Sequence, residues 1–383
     1  MLAVGSASQN GGFVMEIESF LRVMVKHEAS DLFFSAGAPV GVKVGGTTRH
    51  LGDRRLGSHE VRQLAYSILN DKQVASFERD LELNLAIALE GLGRFRINLY
   101  RQRGSVSMVV RYIKNRIPTI EELHLPEVLK ELIMEPRGLI LVVGATGSGK
   151  STTLASMIDH RNENRTGHIL TIEEPIEFLH QHKKSIVDQR ELGLDTLSYE
   201  NALKNAMREA PDVILIGEIR DAETMKHAIA YADTGHLCLS TLHSNNANQT
   251  MDRIINFFPD SAHHQLFVDL SEHLLAIVSQ RLVPSTDGKR RPAVEILKRT
   301  PFIADLILKR DIDGLKQAMK DGGQYGMQTF DQALMKLYEA GEISEEEALA
   351  HADSRNDLSL MMRMVKNRSA QDAPDGLDIQ EWE

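Results

Sequence analysis

Lys150 has the most chemistry gathered around it. With Gly144, Gly149 and Ser151 it completes the pattern G-x-x-x-x-G-K-[ST] in the stretch GATGSGKST, residues 144–152. Gly147 adds a further position free to take positive φ, so the backbone N–H groups of Gly144, Ala145, Thr146, Gly147, Ser148, Gly149, Lys150, Ser151 and Thr152 can turn inward on phosphate oxygens. The pattern predicts that Lys150 reaches the β and γ phosphates of a nucleotide and that Ser151 ligates Mg2+. A glycine-rich turn could match by chance. The apolar run Leu139–Val143 before the loop and the inward stripe Leu154, Met157 and Ile158 after it argue otherwise, because a strand must deliver the loop and a helix must aim its N-terminus at the anion.

A phosphate loop binds; hydrolysis also needs carboxylates to orient water and support a metal shell. Two acidic clusters follow apolar runs: Glu173, Glu174 and Glu177 in TIEEPIE, and Glu218 in VILIGEIRD. Ligands of open α/β sheets sit beyond the carboxyl ends of the strands, so both clusters can face the loop. For Glu177 and Glu218 a site role is the stronger reading. For Glu173 and Glu174 a solvated strand-end carboxylate is as good. VILIGEIRD resembles a Walker B segment, with Gly217 where that segment often has a Mg2+-ligating Asp, and the resemblance implies that Glu218 acts on the metal through bound water. His236 and His243 bracket the run Leu237–Thr241 and are read as phosphate-sensing, since an imidazole can donate one hydrogen bond to a phosphate and report its loss. A zinc site with Cys238 is the weaker alternative, because alternating strand residues cannot all face one way. Arg96 and Arg111 fall on two neighbouring strand patterns far upstream and could serve as arginine fingers. His27, His160, His180 and His182 read as surface residues, and Lys289–Arg291 as an exposed turn.

The elements that must position these groups follow from periodicity. Residues 15–113 combine helical patterns, at Ile17–Met24 and near His59–Leu69, with short alternating segments ending in a hairpin, Arg94–Tyr100 and Ser107–Ile113. That is an α+β domain. Residues 114–118 form a basic linker, and Thr119 with Glu122 makes a capping box expected to open a helix. From 119 to 300 apolar strands (Leu139–Val143, Ile169–Ile172, Val213–Ile216, Leu237–Thr241) alternate with helices such as Glu200–Glu209 and Glu223–Ala232, the signature of a mainly parallel sheet. Residues 301–366 read as wholly helical, with capping boxes at Thr329/Gln332 and Ser344/Glu347. Residues 1–14 are expected to be a disordered leader and 367–383 a disordered tail.

Bulk properties narrow the function. At 383 residues the chain has room for two or three domains, and its net charge of −10 speaks against a protein that lives on nucleic acid. A nucleic-acid remodeller would need more Lys and Arg. One cysteine excludes an intramolecular disulfide and a tetracysteine zinc site, and suits the cytoplasm. No stretch reaches 18 uninterrupted apolar residues, so membrane association is expected to run through partners, with no direct insertion.

Taken in order, GATGSGKST, TIEEPIEF, VILIGEIRD and TGHLCLSTLHSNNA resemble the Walker A, Asp box, Walker B and His box of the type II/type IV secretion ATPase superfamily. RIINFFP and GMQTFDQAL extend the likeness to its type IV pilus retraction ATPases, the PilT/PilU family, on the PilU side. The resemblance covers about Met15–Lys366. It implies an α/β fold with a RecA-like P-loop NTPase core, an N-terminal α+β PAS-like domain and a C-terminal helical segment. It implies a hexameric, cytoplasmic ATP-hydrolysing motor that uses Mg2+ and retracts pili in twitching motility, with an inner-membrane platform protein as partner. By position Glu177 corresponds to the water-polarising Asp-box glutamate, Glu218 to the Walker B glutamate, His236 and His243 to the His-box pair, and Arg96 and Arg111 to arginines that approach the nucleotide. Three departures carry meaning. Glu174 replaces an Asp-box aspartate, the tetracysteine motif of the assembly branch is missing, and FIADLILKRD (Phe302–Asp311) replaces AIRNLIRE. The last fits an accessory motor beside a PilT-like retraction ATPase; a nucleotide-gated adaptor with little work of its own is the alternative.

Overall fold

Alternation along Phe95, Ile97 and Leu99, all fully buried, and along Met108 and Val110 builds the sheet of an N-terminal unit. The computed structural model describes residues 6–7, 13–14, 17–113 and 116–371. The chain divides into two units, Met1–Arg116 with Ile176–Leu179, and Ile117–Pro175 with His180–Glu383. In the first, β1 (Ser6–Ala7) pairs antiparallel with β2 (Phe13–Val14), within the expected leader, whose remaining residues lie outside those described. Helix α1 (Ile17–Lys26) buries Ile17, Phe20, Leu21 and Met24. Strands β3 (Asp31–Phe34), β4 (Gly41–Val44) and β5 (Thr47–His50) precede α2 (Ser58–Tyr66) and α3 (Asp71–Asp80). β6 (Glu82–Leu89), β7 (Gly93–Gln102) and β8 (Ser105–Ile113) complete an antiparallel sheet of order β5-β4-β3-β8-β7-β6. Helix α3 has no counterpart in the periodicity because it buries only Phe77, too thin a stripe to register. Its Asn70–Gln73 capping box starts it instead.

The hairpin register puts Arg96 directly opposite Arg111, and Arg111 opposite Asp31 on β3. Two cations side by side on adjacent strands repel. Asp31, buried, relieves the strain by accepting from Arg111 Nε at 2.8 Å.

The second unit opens differently from expectation. Thr119 and Glu122 do exchange both capping-box bonds, at 3.1 and 3.2 Å, yet residues 120–124 form only turns. His124 takes φ 55°, and Leu125 before Pro126 is steered away from helical geometry. The helix α4 starts later, at Val128–Met134. Then come β9 (Gly138–Val143), α5 (Lys150–Asn164), β10 (Gly167–Glu173), β11 (Ser185–Glu191), α6 (Tyr199–Ala206), β12 (Val213–Ile216), α7 (Ala222–Asp233), β13 (Leu237–Leu242), α8 (Ala247–Asn256), α9 (His263–His273), β14 (Leu274–Pro284) and β15 (Arg290–Lys298). The sheet order is β11-β10-β12-β13-β9-β14-β15, parallel except for β15. Apolar cores cover both faces, around Leu141, Ile216 and Met251 on one side and around Ile140, Met157 and Leu239 on the other.

The sequence pattern shows four of these strands and misses three. β11 is a charged edge strand, and β14 and β15 form a hairpin whose turn swallows Lys289. Arg290 and Arg291, expected in an exposed turn, begin β15; Arg291 pairs with Asp287 at 3.0 Å and Glu342 at 2.6 Å. Helices α10 (Pro301–Leu308), α11 (Ile312–Asp321), α12 (Phe330–Glu339), α13 (Glu345–His351) and α14 (Arg355–Gln371) follow. Helices α10 and α11 join the core around Leu141 through Ile303, Ile307 and Leu315, while a small core of Phe330, Leu334, Leu358 and Met362 seats α12 and α14 on Val283 and Ala293. Helix α14 runs to Gln371, beyond Asn367 where the tail was expected, and residues 372–383 lie outside those described.

Candidate active site

Strand β9, buried along its whole length, delivers the chain to Gly144 at φ 150°, and Gly147 and Gly149 follow at 78° and 91°. Neither Gly144 nor Gly149 has room for a side chain. A Cβ on Gly144 would lie 2.4 Å from the Gln280 carbonyl oxygen, and one on Gly149 would lie 2.8 Å from Gln280 Nε2. Gln280, on β14 and buried, also accepts from the Thr153 hydroxyl at 2.7 Å. It therefore braces the loop and the first turn of α5 together. Ala145, Thr146 and Gly147 form the exposed crest, while Ser148 is buried and Ser151 and Thr152 are half-buried at the start of α5. Lys150 Nζ donates to the carbonyls of Gly144 at 2.9 Å and Ala145 at 3.0 Å. The cation, the helix N-terminus and the loop amides thus converge at one spot, an arrangement suited to an anion.

Parallel register brings the ends of β9, β13, β12 and β10 to the same edge of the sheet. Glu218, just past β12, is held on both oxygens: Oε2 accepts from Arg220 Nε at 3.1 Å, and Oε1 lies 3.2 Å from His243 Nε2. Arg220 also donates to Glu174 at 2.9 Å, so one guanidinium ties together two carboxylates from different strands. Glu173 is engaged otherwise, by Thr171 at 2.6 Å and Gln189 at 3.1 Å, which gives it a place in the sheet edge. Gly217 is explained by crowding, since a Cβ there would sit 3.1 Å from Tyr199 Oη and 3.2 Å from the Ile172 carbonyl. Burial, with the Glu174 carboxylate nearby, pushes the Tyr199 phenol above its ordinary pKa.

His236 does not join this group. It stands at the opposite end of β13, beside Gly138, with its Nδ1 near the Tyr231 carbonyl at 3.2 Å and Thr234 Oγ1 at 3.1 Å. A strand of that length separates it from His243 by roughly 20 Å. Within one chain the pair expected to sense phosphate together is therefore split. Cys238 between them is fully buried, and burial raises its thiol pKa. His180 is also not the surface residue expected: burial pushes it down to about 4. Arg96 and Arg111 belong to the first unit, as does Glu177, exposed in the segment Ile176–Leu179. Two residues of the centre were not singled out from the sequence. Arg220 lay in view within GEIRD, but nothing local marks it as the bridge between Glu174 and Glu218. Gln280 had no signal at all.

The family described as Type II/IV secretion system protein matches residues 14–377. The chain belongs to that family. It is 54% identical to the type IV pilus ATPase PilU of Pseudomonas aeruginosa PAO1, over 93% of this chain and 94% of that protein. The type IV pilus retraction ATPase PilT of the same organism is 44% identical, over 87% of this chain and 97% of that one. Among solved structures, the pilus retraction motor PilT with bound ADP superposes with a TM-score of 0.85 at 40% identity, covering 91% of this chain and all of that one. The fold is thus the mixed α/β architecture of the secretion ATPases, with a parallel-sheet core and a helical C-terminal segment. The chain is an ATP hydrolase of the P-loop class. Among the described residues no helix is long and apolar enough to cross a membrane.

Proposed function

We propose that this chain is a motor of type IV pilus retraction, assembled as a homohexamer on the cytoplasmic face of the inner membrane and acting beside a PilT-like retraction ATPase. The observation that carries the proposal is the phosphate loop with its Lys150, sharing a cavity with His243 of the joined Glu218–Arg220–His243 cluster, in a chain so similar over its length to PilU. In this reading the loop amides and Lys150 hold the nucleotide's phosphates. Mg2+ suits the oxygen donors at hand, the Ser151 hydroxyl and the Glu218 carboxylate, the latter acting through water. When bound, the ion neutralises charge on the transferring phosphoryl group. Glu177 polarises the attacking water, and His243, tied to Glu218, reports loss of the γ-phosphate. Arg96 and Arg111 approach the phosphates when the first unit moves, and hydrolysis releases them. Their directly opposed register on β7 and β8 puts both side chains on one face of that sheet, where two guanidinium groups can serve one anion.

The accessory role rests on Phe302–Asp311, where FIADLILKRD replaces AIRNLIRE. The platform protein of the pilus machine would receive the motion. The test is pilus retraction recorded in cells carrying this chain alone, then together with a PilT-like partner. Retraction that is stronger with both, and falls when this chain carries Lys150→Ala, supports the proposal. Retraction indifferent to Lys150→Ala favours a nucleotide-gated adaptor.

A further inference from the structure

We propose that Arg253 holds the orthophosphate product in a cavity beside the phosphate loop before it leaves. The inference rests on ATP hydrolysis at the Gly144–Thr152 loop. A cavity of about 610 Å3 has Gly144, Ala145 and His243 on one wall and the polar face of α8 on the other. Helix α8 buries Ala247, Thr250, Met251 and Ile254, which turns Gln249 and Arg253 away from the core, and both line this cavity. Asn246 fixes the start of that helix by accepting from the Gln249 N–H at 2.9 Å. The Arg253 guanidinium lies over the Phe257 ring at 5.9 Å and makes no hydrogen bond or ion pair among the described residues.

A basic residue in a last helical turn also favours the helix dipole. The dipole does not choose a side of the helix, and this arginine is on the side that shares a cavity with the phosphate loop. A guanidinium offers the forked donors that suit phosphate oxygens, and amide side chains from Asn245 and Gln249 add neutral donors. Asp252 also lines the cavity and opposes an anion there. The two charges together make a site that catches orthophosphate without trapping it. His243 bounds both spaces, so phosphate leaving the loop would pass the imbalance to the Glu218–Arg220–Glu174 cluster.

The test is product inhibition of steady-state ATP hydrolysis by the full chain, with added orthophosphate and, separately, added ADP. Arg253→Gln should raise the inhibition constant for orthophosphate about tenfold, the scale of one charge-assisted contact, and leave that for ADP within about twofold. Arg253→Lys should fall between. Asp252→Asn should shift the orthophosphate constant the other way. A constant for orthophosphate unchanged in Arg253→Gln, whatever Asp252→Asn does, or an unsubstituted enzyme that orthophosphate does not inhibit, would overturn the assignment of Arg253. Lack of turnover in the unsubstituted chain would overturn the hydrolysis reading as well.

Discussion

His243 Nε2 lies 3.2 Å from Glu218 Oε1, which joins the end of β13 to the end of β12. The second oxygen of Glu218 is held by Arg220, and the same guanidinium holds Glu174 at the end of β10. Three strand ends therefore share one charged cluster beside the phosphate loop. Under the proposed function, a change in charge at the nucleotide would alter the balance of the whole cluster, a physical route by which His243 would sense it.

His243→Ala should lower ATP turnover about 10–100-fold while nucleotide affinity changes only a few-fold, the scale expected for a positioned hydrogen-bonding group. Turnover and a fluorescent-nucleotide titration check this. An equal fall in both would make His243 part of ground-state binding. His236→Ala, at the far end of the strand, should leave single-site turnover unchanged.

Gly144→Ala and Gln280→Ala attack the loop from its two sides. The added methyl group meets the Gln280 carbonyl oxygen at 2.4 Å, so the loop must shift. Nucleotide affinity should fall at least about tenfold in Gly144→Ala, a displacement costing upward of roughly 1.4 kcal/mol. Gln280→Ala removes the partner of the Thr153 hydroxyl and should weaken binding by a smaller factor. Equilibrium nucleotide binding with circular dichroism as a folding control decides. Unchanged affinity in both would mean that the loop holds its shape without the brace.

Arg96→Ala is expected to reduce turnover far more than ATP affinity, by about 10³-fold if it acts as a finger. Arg111 is a harder probe, because its loss leaves the Asp31 carboxylate buried and unpaired by its guanidinium. Arg111→Ala should therefore lose both activity and stability of the first unit. If Arg96→Ala weakens ATP binding and spares single-site turnover, the finger assignment is wrong.

Glu295 predicts a pH effect. On β15 it accepts from the Ala247 N–H at 2.8 Å and the Ser279 hydroxyl at 3.1 Å. Burial, reinforced by the Asp353 carboxylate and countered by Arg281, pushes its pKa from 4.5 to about 7. The native state thus keeps a proton that the unfolded chain gives up, so this group's contribution to stability declines as pH rises from about 4.5 to about 7 and is level above. Glu295→Gln removes that slope. At pH 8 it should unfold later than the unsubstituted chain by roughly 1–3 kcal/mol, with the difference vanishing near pH 4. Unfolding midpoints across that range test it, and a difference independent of pH would contradict it.

Much of the centre was legible because its parts are local. GATGSGKST combines the loop's glycines, lysine and hydroxyl in nine residues, and Val213–Ile216 carries Glu218 on its end. What stayed hidden depends on distances that local patterns do not encode. Gln280 reaches the loop only because β14 pairs with β9, far away in sequence. His236 looked like a partner of His243 because few residues separate them, whereas an extended strand places them at opposite edges of the sheet. The Thr119–Glu122 capping box formed its bonds and still started no helix, since Pro126 constrains the residue before it. The strands β11 and β15 carry too many charges to read as strands until their buried neighbours are seen.

The most direct measurement is steady-state ATP hydrolysis by the purified full chain beside its Lys150→Ala and Glu218→Ala variants. Turnover is expected in the unsubstituted chain and a loss of about 10²-fold or more in each variant, with ATP still bound by Glu218→Ala. Turnover that neither substitution reduces would contradict it, because the loop and the Glu218 carboxylate would then not be where the chemistry happens.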